Sequence, residues 1–187
     1  MKSVLSFLIT FLIFGSSIAV NKIQPEANPA FKNKFLARVN AARQKGCRCG
    51  TEYMPPVGPL KWNDLLAKAA VGHAEDMYEN NYFSHTSKDG RTSEDRIMAT
   101  GYTDNGFKSY SIGENIAFGQ MSIDEVMDGW LKSPGHCHNL MTASFKEIGI
   151  AQYNNYWVQD FGGREPFSPE EQRMIKSGRM RILPRSK

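Results

Sequence analysis

An excess of charge of either sign is missing from most of this chain, cysteine is scarce, and long apolar runs are confined to one end. Residues 20–163 hold fifteen Lys/Arg against sixteen Asp/Glu, so the body lacks the basic footprint of a nucleic-acid binder. Three cysteines, Cys47, Cys49 and Cys137, even with His138 added, match no familiar zinc spacing. No G-x-S-x-G elbow occurs, which sets aside the conventional serine hydrolase. No segment after the N-terminal run is apolar enough to span a bilayer. There is neither an internal repeat nor a low-complexity stretch.

What is present suits a packed globule. The chain is 41% hydrophobic over 187 residues, a length for one domain or one domain plus a tail. Residues 1–19 read as a signal peptide. Lys2 is the charged start, Val4 to Phe14 is apolar apart from Ser6 and Thr10, and Ser17 and Ala19 fit the small-residue cleavage rule. The run is shorter than the roughly 20 residues a membrane span needs, and no cysteine follows it to carry a lipid. The mature chain is expected to begin near Val20 and to be secreted, extracellular or periplasmic, with residues 20–29 as a linker. Residues 164–187 hold seven Lys/Arg against three Glu. They read as a basic tail with a short helix, a solvated end that could make weak contact with an anionic surface.

Export permits a disulfide. A bridge between Cys47 and Cys49, one residue apart, would be strained. Cys137 is therefore expected to pair with one of them, Cys47 being slightly preferred, and one thiol is left over. Closing so long a loop could stabilise by roughly 2–4 kcal/mol.

Asn28 and Pro29 signal a helix start, Phe31, Phe35, Val39 and Ala42 recur at helical spacing, and Gly46 ends the run. Residues 47–60, punctuated by Gly and Pro, read as loop. A second helix begins at Asn63, with Trp62, Leu65, Leu66, Ala69, Ala70, His73 and Met77 on one face. His73 thus points inward and reads as a satisfied core group. Thr92 and Asp95 cap a short helix through Met98, and 101–108 is loop. Tyr110 to Phe118 alternates as a strand, which sets Glu114 among Tyr110, Ile112, Ile116 and Phe118. A carboxylate there needs a partner, a raised pKa, or a bulge at Gly113 that re-aims it. Ser122 and Glu125 form a capping box ahead of Ile123, Val126, Met127, Trp130 and Leu131. Strands are expected over 146–153 and 156–161, joined at Asn154-Asn155 and closed by Gly162-Gly163. Ser168, Pro169 and Glu171 start a last short helix that Gly178 ends.

The stretch WLKSPGHCHNL, Trp130 to Leu140, organises the chain. Ser133 suits the N-cap and Pro134 the first helical position, which puts His136 in the first turn. YFSH at 82–85 supplies His85 and GENIA at 113–117 supplies Glu114. The three stretches are expected to converge on one cleft. Cys137 between His136 and His138 suggests a thiol enzyme, but neighbours in a helix do not face one another, and a disulfide would consume the thiol.

With HAEDM at 73–77, IGIAQ at 148–152 and YWVQDFG at 156–162, these stretches in this order resemble the CAP superfamily (cysteine-rich secretory protein, antigen 5, pathogenesis-related 1), in its bacterial secreted branch. The resemblance covers residues 30–163. It implies an α+β fold, a three-layer α-β-α sandwich with a central antiparallel sheet, and a cleft lined by two histidines and two acids. Here the histidines map to His85 and His136 and one acid to Glu114. The second acid usually follows the helix tryptophan by three residues, where this chain has Ser133. Asp128 lies nearby without a geometric ground for replacing it.

Two imidazoles and a carboxylate are sound ligands for a divalent ion such as zinc, and some family members hold a metal through the two histidines. The expectation is a binding or interaction module whose His/Glu cleft takes a metal, a small ligand, a lipid or a peptide. The alternative is an extracellular hydrolase, peptidase-like, in which His85, Glu114 and His136 act with a metal or as a proton shuttle.

Overall fold

The computed structural model describes residues 22–23 and 28–182. The expected signal peptide, most of the expected 20–29 linker and residues 183–187 of the tail lie outside the described residues. The first element is β1 (Lys22–Ile23). Asn28 then caps α1 (Pro29–Lys45): its side chain accepts from the N–H groups of Ala30 and Phe31, and Pro29 starts the helix where its missing N–H costs nothing.

The stretch 47–60, expected as loop, contains a hairpin of β2 (Cys47–Cys49) and β3 (Glu52–Met54). Three-residue strands are too short for alternation to stand out among the surrounding glycines and prolines. After β4 (Lys61–Trp62), Asn63 caps α2 (Asp64–Glu79) by accepting from Leu65 and Leu66 N–H. Thr92 and Asp95 close a capping box on α3 (Ser93–Ala99).

Strand β5 (Phe107–Phe118) begins earlier than its alternation suggests, with an irregularity between Phe107 and Ser109. No bulge occurs at Gly113. That residue stays in register opposite Phe161, and the Phe145 ring lies 2.7 Å from where its Cβ would be. Ser122 caps α4 (Ile123–Lys132) as expected, but the Glu125 carboxylate reaches back to Met121 N–H rather than to Ser122, so the box is offset by one residue. Ser133 occupies the N-cap position of α5 (Pro134–Met141) without a side-chain cap bond. Strands β6 (Glu147–Tyr153) and β7 (Tyr156–Pro166) form the expected hairpin, with Asn154 at φ 50° in the turn. Strand β7 runs past Gly162-Gly163. A Cβ at Gly162 would meet the Tyr102 hydroxyl at 2.3 Å, and one at Gly163 the Ser144 carbonyl at 1.9 Å, so these glycines admit close neighbours rather than end the strand. Ser168 and Glu171 box the last helix, α6 (Pro169–Lys176).

The sheet runs β1-β6-β7-β5, antiparallel throughout, with β4 added parallel to β6. Alternation divides each strand between two cores. On one face, Ile148, Ile150, Trp157 and Phe161 pack against α1, α4 and α5 through Phe31, Phe35, Val39, Val126, Met127, Trp130 and Leu140. On the other, Ile116, Ala151, Tyr153 and Val158 pack against α2 through Ala70, Ala74 and Met77. Ile97 of α3 and Tyr102 extend that layer with Leu66 and Ala69. The result is an α-β-α sandwich with β5 at one edge of the sheet. Buried Arg43 ties the α1 side together by donating to the carbonyls of Gly58, Leu140, Thr142 and Phe145. Burial lowers its pKa to about 10, which leaves it charged at neutral pH against the carbonyl end of α5.

The disulfide joins Cys49, not Cys47, to Cys137, with Cα atoms 5.3 Å apart. Cys47 is the free cysteine, half-buried, and burial raises its pKa. Period-two geometry points both side chains to the same face of β2. Spacing therefore could not choose between them; the deeper end of the strand, Cys49, is the one that reaches α5.

Candidate functional site

The site is built outward from a buried histidine. His73, fully enclosed on α2, bonds through Nε2 to the Ser84 carbonyl at 2.9 Å. This fixes the chain just before His85, and burial first of all lowers the His73 pKa. His85 Nδ1 then lies 2.7 Å from Glu114 Oε1. The Glu114 side chain is only 2% exposed, whereas that of His85 is 55% exposed.

Arg96 makes this carboxylate tolerable. Its Nη2 donates to Glu114 Oε2 at 2.6 Å and to the His85 carbonyl at 3.0 Å, and its Nη1 reaches Ser87 Oγ and the Arg91 carbonyl. Burial pushes the Glu114 pKa up, but His85, Arg96 and His73 together outweigh it and hold the group below its ordinary value. Glu114 is therefore ionised at neutral pH, both its oxygens are engaged, and it must accept a hydrogen bond from His85 Nδ1–H. Nε2 is then the ring nitrogen of exposed His85 that Glu114 does not engage.

Across the ladder, Asp160 stands opposite Glu114 and is 1% exposed. Neither of its oxygens has a partner at ordinary hydrogen-bond geometry; Glu114 acts on it by charge and through a weak contact. Burial, then the Glu114 charge, raise its pKa well above the usual carboxylate value. Of the two facing acids, Glu114 is shifted toward its ionised form and Asp160 toward its protonated one.

His136 comes from the other side of the β5 edge. Asn115 Nδ2 donates to its carbonyl at 3.1 Å and to Gln159 Oε1, while Asn139 Nδ2 bonds the Glu114 carbonyl and Asn115 Oδ1. These amides lock the first turns of α5 onto the strand that carries Glu114. The His136 imidazole is half-buried. Burial, and then the neighbouring His85, lower its pKa, so it is neutral at physiological pH. Among the described residues, the one group of three or more metal-type side chains whose ligand atoms lie within 4.8 Å of one another is Cys47, Cys49 and Cys137. His85, Glu114 and His136 thus form no closed three-ligand cage, and Glu114 stands behind His85.

Ser133 offers no acid, and Asp128 is taken by Arg38 at 2.6 Å on the surface. The second acid beside Glu114 is Asp160, which sequence reasoning missed. Its signal was available, because Tyr156, Val158 and Asp160 share a face by alternation as Glu114 does with its neighbours. Arg96 left no such sign: a basic residue on a short capped helix reads as a surface residue. A hollow of about 600 Å³ between α1 and residues 56–59 has no titratable side chain in its lining and offers shape without chemistry.

Known proteins resemble this chain over much of its length. The chain is 37% identical over 102 residues to the uncharacterized membrane protein YlbC of Bacillus subtilis (strain 168), a match covering 54% of this chain and 28% of that protein. It is 31% identical over 142 residues to the uncharacterized protein YkwD of the same organism, covering 75% of this chain and 50% of the relative. The chain thus spans half or less of the length of these curated relatives. Among solved structures it resembles an outer surface protein from Borrelia burgdorferi, with a TM-score of 0.59 and 26% identity, over 78% of this chain and 99% of that one. The family model for the cysteine-rich secretory proteins matches residues 36–161, which include His85, Glu114, His136 and Asp160. With that match, the α-β-α layers and the histidine–glutamate edge described above, the chain belongs to the cysteine-rich secretory protein (CAP) family.

Proposed function

We propose that this protein is a secreted or surface-held CAP module in which His85 and His136 bind a divalent metal such as zinc, or a small ligand in its place. The observation that carries the reading is the 2.7 Å bond from His85 Nδ1 to enclosed, Arg96-held Glu114. It fixes the tautomer and turns Nε2 outward, as carboxylates behind metal-binding histidines do. His136 adds a neutral imidazole, the form that ligates. The donor set therefore fits a borderline ion held by two nitrogens with positions left open. When bound, such an ion would polarise a carbonyl or a water. Phe83 and Phe118, 52% and 53% exposed with rings 6.2 Å apart, give the same edge an apolar rim suited to a lipid or peptide side chain. Export is supported by the outer-surface description of the Borrelia neighbour.

Zinc titration of the mature protein by calorimetry tests this. The native chain is expected to take up one equivalent, and His85→Ala and His136→Ala each to abolish uptake. Unchanged uptake in both variants would sink the metal site. A second reading, His/Glu-dependent hydrolysis, rests on the same His85–Glu114 pair, an oriented base in search of a nucleophile. Cleavage of a peptide library by the native chain, lost in His136→Ala, would favour it over binding.

A further inference from the structure

A second cluster of ligand-type side chains lies elsewhere on α5. Successive helix residues are about 100° apart, so Cys137 faces the β2–β3 hairpin while His136 faces the β5 edge. Cys47 and Cys49 both point from β2 toward Cys137. Cys49 is bonded to it. The free Cys47 Sγ lies 3.5 Å from Cys137 Sγ and 4.0 Å from Cys49 Sγ.

Those two distances bear on what the free thiol can do. Displacing one sulfur of a bridge requires attack along the bond, with the far sulfur well beyond the near one. Cys47 is instead almost equally distant from both, so it flanks the bridge. Three sulfurs in a triangle suit a shared partner better than a displacement. Tetrahedral zinc with bonds of about 2.3 Å to sulfur sets its sulfurs about 3.8 Å apart, and the two flanking distances bracket that spacing. Thiolates also select thiophilic ions over the oxygen-seeking ones.

We propose that reduction of the Cys49–Cys137 bridge converts this cluster into a three-thiolate site for a thiophilic cation of the zinc class, so that disulfide and metal are alternative states of one site. A dithiol supplies the two electrons and two protons that open the bridge and is itself oxidised to a disulfide. The ion then displaces one proton from each of three thiols. Three thiolates and a divalent ion carry one net negative charge. The hollow of about 510 Å³ beside Cys47 is lined by Lys45, Arg48 and Lys132, which favour that charge, and by Arg38, paired with Asp128. His138 stays outside the site, with its Nε2 3.4 Å from Glu52 Oε2. The fourth tetrahedral position is open to water or an external ligand.

The test uses the mature chain carrying His85→Ala and His136→Ala, which removes the other proposed metal site. The protein is reduced with excess dithiol, freed of it without oxygen, and titrated with cobalt(II). Thiolate-to-cobalt charge-transfer absorption is expected to saturate at one equivalent with native far-UV circular dichroism, and zinc to displace it and protect three thiols from alkylation. The oxidised protein should show no such band. Adding Cys47→Ser, which leaves the bridge of the oxidised form intact, should weaken binding by more than the roughly 10–100-fold typical of changes behind a ligand. The idea fails if the reduced chain gives no charge-transfer band, if cobalt leaves a reduced and unfolded chain unfolded, or if Cys47→Ser titrates like its parent.

Discussion

Glu114 stays ionised in a nearly closed setting because a guanidinium was buried with it. The side chains of Arg96 and Glu114 are 3% and 2% exposed and their bond is 2.6 Å. Such a pair adds little net stability over an apolar replacement of both partners, but losing one partner leaves a bare charge in a poor solvent. Arg96→Met is therefore expected to cost about 3–5 kcal/mol of unfolding free energy, read from urea melts at pH 7. Adding Glu114→Gln should return part of that loss, since no charge is then stranded. Single and double variants of equal stability would show that the pair is not coupled. The same substitution should weaken ligand binding at His85, because Arg96 also holds the His85 carbonyl.

At the level of elements, the site depends on how closely α2 sits on the sheet, and Gly149 of β6 sets that distance. A Cβ there would fall 1.9 Å from the Ala67 backbone nitrogen, with no flexible side chain to yield. Gly149→Ala must push α2 outward, and His73 with it. A loss of about 1–3 kcal/mol or more is expected, the usual scale of overpacking. Gly72 lies inside α2 with nothing within 4 Å of its would-be Cβ, so Gly72→Ala should instead stabilise by roughly 0.5–1 kcal/mol. Thermal melts of the two variants moving in the same direction would contradict this account of the interface. The pair also shows which features were legible in the sequence. Caps at Asn28, Asn63, Thr92 and Ser168 and the apolar stripe of α2 are local patterns, and the structure follows them. The alternation through Glu114 is local too, and it correctly marked that residue as odd. Hidden were the 47–54 hairpin, whose three-residue strands are too short for alternation to show, and the features set by partners distant in sequence, Arg96 reaching Glu114 and the choice of Cys49. Gly162-Gly163 misled for the same reason. Glycine reads as punctuation, but here it serves Tyr102 and Ser144, whose approach only the folded chain reveals.

Over the whole molecule, the buried titratable groups oppose one another, and their balance sets the response to pH. His73 and His136 have pKa values lowered from 6.5, chiefly by burial. As pH falls through 6.5 the unfolded chain takes up protons that the fold refuses until lower pH, so stability declines there. Glu114 and Glu147 sit below their ordinary 4.5: burial pushes each up, but their bonded partners outweigh it. Their contribution is present above 4.5 and is lost as pH falls through the folded values. Asp160 runs the other way. Its folded pKa is raised well above 3.8, by burial and by Glu114, so its contribution is complete below 3.8 and lost as pH rises from 3.8 through the folded value. Above 3.8 the fold holds this proton more tightly than the unfolded chain does, at about 1.4 kcal/mol for each unit of separation. Asp160→Asn keeps the shape of the neutral acid, and its amide can still donate toward Glu114. The variant is expected to be more stable than the native protein at pH 7, by an amount that shrinks to nothing by about pH 3, where both states of the native chain hold the proton. Paired urea melts across that range measure the difference directly. An advantage that did not depend on pH would mean the asparagine acts through packing, and that Asp160 is not the proton-bearing member of the facing acids.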